Sequence, residues 1–174
     1  RSRRLRATGY VEGVLGDLRS KCAMHVVTEL DSRSGAILAR NAFNPEFADI
    51  VAFFDVDDST RTISGDRTEF IGRNGSLANP AAMQRARLSG RVGAAMDPCA
   101  AIQVPFELAE GQSRRIIFRL GVGRGLDDAS AQVLRFRRAG TAGNSLESVR
   151  AHWRHALGAI QVETPDPALD VLAN

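Results

Sequence analysis

The sequence predicts a mainly β protein, an antiparallel β-sandwich that is followed by helices at the C-terminal end. Apolar and polar residues alternate with a period of two in the first two-thirds of the chain. Turn-rich connections at 31–35 and 109–112 each separate two apolar segments, which predicts two hairpins. After residue 125 the apolar period becomes that of a helix. The hydrophobic content of 44% and the charged content of 25% are typical of a globular protein.

The strands are predicted from local patterns in chain order. Alternation over 5–15 predicts a half-buried first strand, with apolar positions Leu5, Ala7, Val11 and Leu15. Segments 24–30 and 36–42 make the first predicted hairpin. Ile50–Val56 is almost wholly apolar, as expected of a central strand covered on both faces. Segments 100–108 and 113–120 make the second hairpin, and Pro105 predicts an edge or a bulge because proline donates no ladder hydrogen bond.

Three helices are predicted in the last third of the chain. An aspartate at 127 or 128 can cap the first, which carries Val133, Leu134 and Phe136. The second opens at Asn144 and ends at Gly158, and its apolar stripe comprises Leu146, Val149, Trp153, Ala156 and Leu157. Asp166-Pro167 predicts the start of a third. Because that helix has barely begun at the last residue, and no initiator methionine is present, we expect a piece of a larger protein.

Composition and charge argue against several function classes. The net charge is +3 and the pI is near 9.5, but the basic residues are scattered and aromatics make up only 6%. A nucleic-acid surface would combine the two, so we expect no nucleic-acid partner. No apolar run approaches the roughly 20 residues of a membrane helix, so we expect no membrane insertion. Cys22 and Cys99 form no metal or redox spacing and suit a reducing cytoplasm as buried apolar side chains.

Three short motifs invite a chemical reading that their context does not favour. Asp55-Val56-Asp57 could hold a divalent ion, but solvated acids are expected at the end of an apolar strand. Gly121–Gly125 differs from the dinucleotide fingerprint in its spacing, which favours a flexible strand-to-helix turn. His152 and His155 lack a nearby carboxylate or cysteine pattern. No nucleophile with a base partner is evident, so we expect no catalytic residue, no metal and no cofactor in this chain.

Residues 61–80 are the strongest candidate for a functional segment. They show no sustained period, which predicts a long irregular loop, and such loops inside compact domains are often functional. Its apolar anchors are Ile63, Phe70, Ile71 and Leu77, so we expect it to be ordered. It would then present four charged side chains, Asp66, Arg67, Glu69 and Arg73. The arginines could donate forked hydrogen bonds to sugar hydroxyls, a phosphate or a carboxylate, or the four charges could simply form internal salt bridges.

Five segments in order carry a resemblance to a known family: 9–12 (Gly-Tyr-Val-Glu), Phe53-Phe54, 65–73, 97–101 (Asp-Pro-Cys-Ala-Ala) and 162–166 (Val-Glu-Thr-Pro-Asp). The chain resembles the phosphorylase-like module of cyclic β-1,2-glucan synthases. These are relatives of cellobiose and chitobiose phosphorylases in glycoside hydrolase family 94, formerly glycosyltransferase family 36. The resemblance implies a galactose-mutarotase-like supersandwich, a helical linker and a helical barrel that holds the catalytic Asp of an inverting phosphorolysis.

On this resemblance, residues 1–125 are part of the β-sandwich and 126–174 are a linker to a barrel outside the chain. The resemblance implies that the chain alone is inactive, and that its parent is an enzyme whose copy of this domain lies on the cytoplasmic side of the inner membrane. In the cellobiose-type relatives a loop with an Asp-Arg-x-x-Phe-x-Gly pattern reaches towards the sugar site. The matching residues are Asp66, Arg67, Phe70 and Gly72.

This match implies that Arg67 contacts the acceptor sugar of a β-glucan, with Asp66, Phe70 and Arg73 as further candidate binding residues. The site would be completed by the barrel. The alternative is a purely structural module that braces the barrel or a homodimer.

Overall fold

The computed structural model describes residues 1–158 and 162–173, and the architecture is mainly β, as predicted. The first unit, Arg1–Phe136, holds two antiparallel sheets that pack face to face, which confirms the predicted β-sandwich. In the second unit, Arg137–Asn174, the described residues form two helices and their connections. Within the described residues no helix is both long and apolar enough to cross a bilayer.

The first sheet has three strands. They are β1 (Arg3–Val11), β5 (Thr62–Asp66) and β6 (Pro98–Leu108), in the spatial order β1-β6-β5. Strand β6 is therefore paired on both sides, but β5 reaches only as far as Gln103. Pro105 lies beyond that point, where only β1 is paired with β6, so the missing N–H of proline is tolerated at a local edge.

The second sheet has four strands. They are β2 (Val27–Leu30), β3 (Ile37–Arg40), β4 (Ile50–Val56) and β7 (Phe118–Arg124), in the order β2-β3-β4-β7. Strands β2 and β3 form the predicted first hairpin, with Leu30 opposite Ile37. Strand β4 has the predicted bounds and lies inside the sheet, paired with β3 and β7. Both of these predictions are confirmed.

The core explains why β4 and β6 are apolar on both faces. Between the sheets, a cluster joins residues of β3, β4, β5 and β6, namely Ile37, Phe54, Val56, Ile63, Ala100, Ile102 and Val104. The other face of β4 contributes Val51 and Phe53 to a cluster with the helix α3 (Gly125–Arg137). The other face of β6 contributes Cys99 and Ala101 to a cluster with the helix α2 (Arg67–Ile71). Both cysteines are buried, as predicted.

One side of the sandwich is closed by the segment 88–93. It runs between β5, an edge strand of the first sheet, and β2, an edge strand of the second. Towards β5, the segment accepts from Gly65 N (2.6 Å) and donates to Ile63 O (2.8 Å). Towards β2, Thr28 N donates to Gly93 O at 3.1 Å. These bonds satisfy backbone groups that an edge strand would otherwise expose.

The second predicted hairpin is wrong. Strand β7 begins at Phe118, not at residue 113, and it pairs with β4 in the other sheet. Because β6 already has β1 and β5 as neighbours, β7 cannot pair with its central part. The turn-rich connection at 109–112 therefore carries the chain from one sheet to the other.

The prediction of one long irregular loop at 61–80 is also wrong in its first half. Residues 62–66 are β5 and residues 67–71 are α2; only the part after Ile71 is irregular. Strand β5 shows no alternation because its residues 63–66 are buried on both faces. Leu77, expected to be an apolar anchor, is 57% exposed, whereas Phe70 and Ile71 are buried.

The strand-to-helix junction at β7 is packed tightly. A Cβ at Gly121 would collide with the ring of Phe53, and one at Gly123 would collide with the backbone of Ala129 in α3. These glycines therefore allow close approach between layers, and the predicted flexible turn is instead a direct passage from strand to helix. Helix α3 starts earlier than predicted, at Gly125, and Asp128 Oδ2 accepts from Arg124 N at 2.8 Å.

The second unit contains the helices α4 (Thr141–Leu157) and α5 (Pro167–Ala173). Helix α4 begins at Thr141, earlier than predicted, and its C-cap is Gly158, where the helix was predicted to end. Asp166 Oδ1 accepts from Ala168 N at 3.0 Å and caps α5, which confirms the predicted start. The apolar stripe of α4 is exposed by half or more at Leu146, Val149, Trp153 and Leu157.

Candidate functional site

Three of the segments that carry the family resemblance meet at one end of the first sheet. Residues 9–12 end β1, residues 65–73 cover the end of β5 and the helix α2, and residues 97–101 begin β6. The register explains the meeting, because Val11 lies opposite Ala100 and Asp66 lies opposite Pro98. Antiparallel pairing thus brings side chains that are far apart in sequence to one end of three neighbouring strands.

A ring of four charged side chains forms at this end. Arg67 Nε lies 2.8 Å from Glu12 Oε1, and Arg67 Nη1 lies 3.4 Å from Asp97 Oδ2. Arg19 closes the ring: its Nε lies 3.0 Å from Glu12 Oε2, and its Nη2 pairs with Asp97 Oδ1. The backbone N–H of Arg67 also donates to Asp97 O at 2.7 Å. Each guanidinium therefore bridges the same two carboxylates, and the four formal charges sum to zero.

The ring is partly accessible. The exposed fraction is 34% for each arginine side chain, 25% for Glu12 and 27% for Asp97. The arginines are held in place by ion pairs and still present part of their surface to solvent. This combination of order and accessibility suits recognition of a polar ligand.

Tyr10 extends the ring into the core. Its hydroxyl donates to Glu12 Oε1 at 2.6 Å, and burial together with this hydrogen bond raises the pKa of Tyr10. Burial acts to raise the pKa of Glu12, but hydrogen bonds from Tyr10 and Arg67 outweigh it, so that pKa lies below its ordinary value. The hydrogen bond to Glu12 likewise raises the pKa of Arg67. Glu12 and Arg67 therefore keep their charges at neutral pH.

The free energy of unfolding is expected to fall as the pH drops below about 4.5, the ordinary pKa of Glu12. The folded chain holds Glu12 at a lower pKa than the unfolded chain does. The unfolded state therefore binds the proton first, and the stability present at higher pH is lost as the pH falls through the folded pKa. Urea unfolding midpoints measured between neutral pH and the acid limit of folding would check this.

Glu12→Gln is the matched variant for this prediction. It should be less stable at neutral pH and should lose less stability on acidification. Some acid sensitivity should remain, because hydrogen bonds from Ser34 to Asp31 and from Thr60 to Asp58 outweigh burial and lower the pKa of each aspartate. An unchanged acid dependence in the variant would show that Glu12 is not a source of it.

The acidic residues of the segment 61–80 have structural partners outside that segment. Asp66 is 8% exposed; it accepts from Glu69 N at 3.1 Å as the N-cap of α2 and pairs with Arg91 at 3.3 Å. Glu69 pairs with Arg85 at 2.7 Å and accepts from Ser64 Oγ at 3.1 Å. The four charges thus do not form a set of internal salt bridges. Glu12 and Asp97 pair with Arg67, Arg91 pairs with Asp66, and Arg85 pairs with Glu69.

The remaining candidates divide between core and surface. Phe70 is 3% exposed, and its ring stacks on that of Tyr10 with centroids 4.6 Å apart. Its side chain therefore lies on the buried face of α2 and not on the surface. Gly72 has a φ of +94°, a conformation that favours glycine. Arg73 is exposed. A sugar contact by Arg67 or Arg73 stays a prediction.

Two ring residues had no assigned role in the sequence analysis although their segments were singled out. Glu12 and Asp97 lie in the family segments 9–12 and 97–101, and only the strand register shows that both face Arg67. Arg19 lies outside all of those segments, in the four-residue helix α1 (Arg19–Cys22). No period or motif marks it, so sequence reasoning had no signal for it.

The other motifs have structural environments. Asp55 is fully buried, not solvated as expected; its Oδ2 lies 3.7 Å from Arg119 Nη1, and Asp57 pairs with Arg119 at 3.1 Å. His152 contacts the ring of Trp153 edge-on. In the described part of the chain, no three His, Cys, Asp or Glu side chains form a group that could hold a metal ion. Burial raises the pKa of Cys99 to about 12, so this thiol is a poor nucleophile.

Comparison with known proteins gives one family. Residues 1–139 match the model of the glycosyl hydrolase 94 supersandwich domain. The chain is 34% identical over 174 residues to the cyclic beta-(1,2)-glucan synthase NdvB of Rhizobium meliloti (strain 1021), with 99% of the chain and 6% of that protein covered. It is 22% identical to the N,N'-diacetylchitobiose phosphorylase of Vibrio proteolyticus over 147 residues, covering 78% of the chain and 18% of the relative.

A second N,N'-diacetylchitobiose phosphorylase, from Vibrio furnissii, is 24% identical over 180 residues, which cover 99% of the chain and 22% of that protein. The chain thus spans less than a quarter of each of these relatives. The family model covers both sheets and all of α3. The sandwich, its closing segment and the charged ring are therefore features of a chain that belongs to the glycosyl hydrolase 94 supersandwich family.

Proposed function

We propose that this chain is a non-catalytic, carbohydrate-binding-type domain of a larger glucan-processing enzyme, in which Arg67 contacts the sugar. The observation that carries the proposal is the charged ring, which holds a partly exposed guanidinium in a fixed position where three family segments meet. The relatives are named as a glucan synthase and as phosphorylases, which supports an enzyme as the parent protein.

The proposed ligand is a β-glucan oligosaccharide bound jointly with a catalytic helical barrel elsewhere in the parent. Residues after the sandwich would link to that barrel, and the half-exposed apolar stripe of α4 offers a surface for such a neighbour. Helix α3, which the sequence analysis assigned to the linker, packs on the second sheet, so the proposed linker starts after it. The proposed location is the cytoplasmic side of a parent enzyme that is associated with the inner membrane.

The ring lowers the entropic cost of binding a ligand through Arg67. An arginine side chain on an open surface loses rotamer freedom when it binds a ligand. Here, Glu12 and Asp97 have already fixed the Arg67 guanidinium in the folded protein. Its remaining terminal nitrogen, Nη2, can then donate to a sugar hydroxyl at little further entropic cost.

Arg67→Ala in the full-length enzyme is expected to raise the KM for β-1,2-glucan oligomers by about ten- to a hundredfold, the value of lost hydrogen bonds to a charged donor. The turnover number should change much less, because no reacting group is removed. Arg67→Lys should recover part of the loss, since it keeps the charge but not the fork. Steady-state kinetics with a series of oligomer lengths would measure these effects.

Arg85→Ala is the control, because Arg85 also pairs with a carboxylate of this region, that of Glu69, at 2.7 Å. It should leave the KM unchanged. Kinetics of Arg67→Ala that match those of the wild type for every oligomer would remove Arg67 from the sugar site.

The second candidate function is a structural module that braces the barrel or a homodimer. It is favoured by the structural contacts of the candidate residues. Arg67 Nε and Nη1 are paired with carboxylates. Asp66 caps α2, and the Phe70 side chain packs in the core. Titration of this chain with β-1,2-glucan oligomers can distinguish the two functions if binding is observed. Specific millimolar or tighter binding would establish a sugar site in the domain itself. We expect no such binding, because a single surface cluster offers little concavity without its neighbour.

A further inference from the structure

The charged ring contains a second arginine whose geometry matches that of Arg67. We propose that Arg19 is a further sugar-binding residue, and that Arg19 and Arg67 bind neighbouring hydroxyls of one neutral sugar. This inference rests on the proposed function, because it takes the ring as the sugar-contacting surface. It adds a residue from a different segment of the chain, which no motif marks.

The two arginines make matching ion pairs. Each directs Nε to Glu12 and one terminal nitrogen to Asp97. Each side chain is 34% exposed. Among the described residues, Arg67 Nη2 and Arg19 Nη1 make no hydrogen bond. The ring therefore keeps one terminal nitrogen of each guanidinium available as a donor.

The local fold fixes both arginines from separate directions. Arg67 is the first residue of α2, directly after β5, and Arg19 is the first residue of α1, after the end of β1. Two guanidinium groups would repel each other if they were adjacent and unpaired. The carboxylates of Glu12 and Asp97 lie between them and offset this repulsion, so both can be held with their donors in one small area.

The charge of the ring indicates the class of ligand. Two arginines and two acids give no net charge, so the ring offers an anion no net electrostatic attraction. Hydroxyl groups both donate and accept hydrogen bonds, and the ring supplies arginine donors beside carboxylate acceptors. A neutral sugar with adjacent hydroxyls matches this alternation, whereas a phosphate or an acidic sugar would meet the carboxylates unfavourably.

A purely structural Arg19 would behave differently from a binding one. If Arg19 only held Arg67 in place, its removal would have no further effect once Arg67 was gone. If Arg19 contacts the sugar, its removal should weaken binding in both backgrounds. The double variant therefore distinguishes a direct contact from a positioning role.

The test uses the full-length enzyme with β-1,2-glucan oligomers and the variants Arg19→Ala, Arg19→Lys, Arg67→Ala and Arg19→Ala/Arg67→Ala. Arg40→Ala is the control, because Arg40 pairs with Glu29 at 3.3 Å and is similarly exposed, at 45%. We expect Arg19→Ala to raise the KM by about tenfold, with kcat within about twofold of the wild type. Arg19→Lys should recover part of the loss, and the double variant should be at least about threefold weaker than Arg67→Ala alone.

The outcomes separate this inference from the proposed function. A raised KM for Arg67→Ala with Arg19→Ala equal to Arg40→Ala overturns the role of Arg19 and leaves the proposed function standing. A double variant equal to Arg67→Ala also overturns the direct contact. An unchanged KM in every variant overturns both proposals. Urea unfolding of each variant, including Arg19→Lys, shows whether a raised KM results from unfolded protein.

Discussion

Replacement of Arg119 by alanine is expected to lower the free energy of unfolding by about 3–5 kcal/mol, the range for removing one partner of a buried ion pair. The Arg119 side chain is 9% exposed and lies 3.7 Å from the fully buried Asp55. It also pairs with Asp57 at 3.1 Å, and its Nε donates to Phe136 O at 2.9 Å. The variant loses these contacts, and the buried Asp55 carboxylate is left without this guanidinium.

Urea unfolding of the variant at neutral pH measures this loss. Arg4→Ala is the control, because Arg4 forms an ion pair of similar length, 2.9 Å to Glu107, with side chains that are 91% and 63% exposed. It should cost no more than about 1 kcal/mol, since solvent screens an exposed pair. Equal losses in the two variants would show that burial does not set the contribution of the Arg119 cluster.

Phe70→Ala is expected to cost about 3–5 kcal/mol, as for other buried phenylalanines truncated to alanine. Phe70 stacks on Tyr10 and packs in the cluster that joins α2 to β6. The cavity would lie directly beneath the helix that begins with Arg67. If Arg67 binds glucan as proposed, the variant should also weaken that binding, but only as a consequence of a disturbed helix.

Leu77→Ala is the control in the same segment, because Leu77 is 57% exposed, and its effect should stay within about 0.5 kcal/mol. Urea unfolding and near-ultraviolet circular dichroism would be measured for both variants. Lost glucan binding in Phe70→Ala with unchanged stability would contradict a core role and would make Phe70 a ligand contact.

The parts of the fold that follow from local pattern were predictable. Strand β4 is apolar over its whole length because both faces are covered, and the β2–β3 hairpin is fixed by its short turn. The partner of a strand is not a local property. Nothing within residues 113–120 indicates that β6 is already paired on both sides, so the pattern there predicted a hairpin where the chain changes sheets.

The candidate site was likewise predictable only in its local part, the motif, and not in the residues that the motif contacts. Arg67 and Asp66 belong to a motif that sequence alone identifies, but α2 was missed because five residues are too few to show a helical period. The ring depends on residues from four separate segments. The sheet register brings the segments of Glu12, Arg67 and Asp97 together, whereas Arg19 comes from the helix α1. Burial was equally invisible for Asp55, whose charge suggested solvent and whose strand position places it in the interior.

The pairing of β1 with β6 also has a consequence during protein synthesis. The two strands are separated by about a hundred residues, so at a ribosomal rate of about 5–20 residues per second β1 waits several seconds for its partner. An unpaired strand can associate with the wrong chain in that interval. Three arginines, Arg3, Arg4 and Arg6, lie on β1. Their mutual repulsion is expected to keep nascent chains apart until β6 emerges.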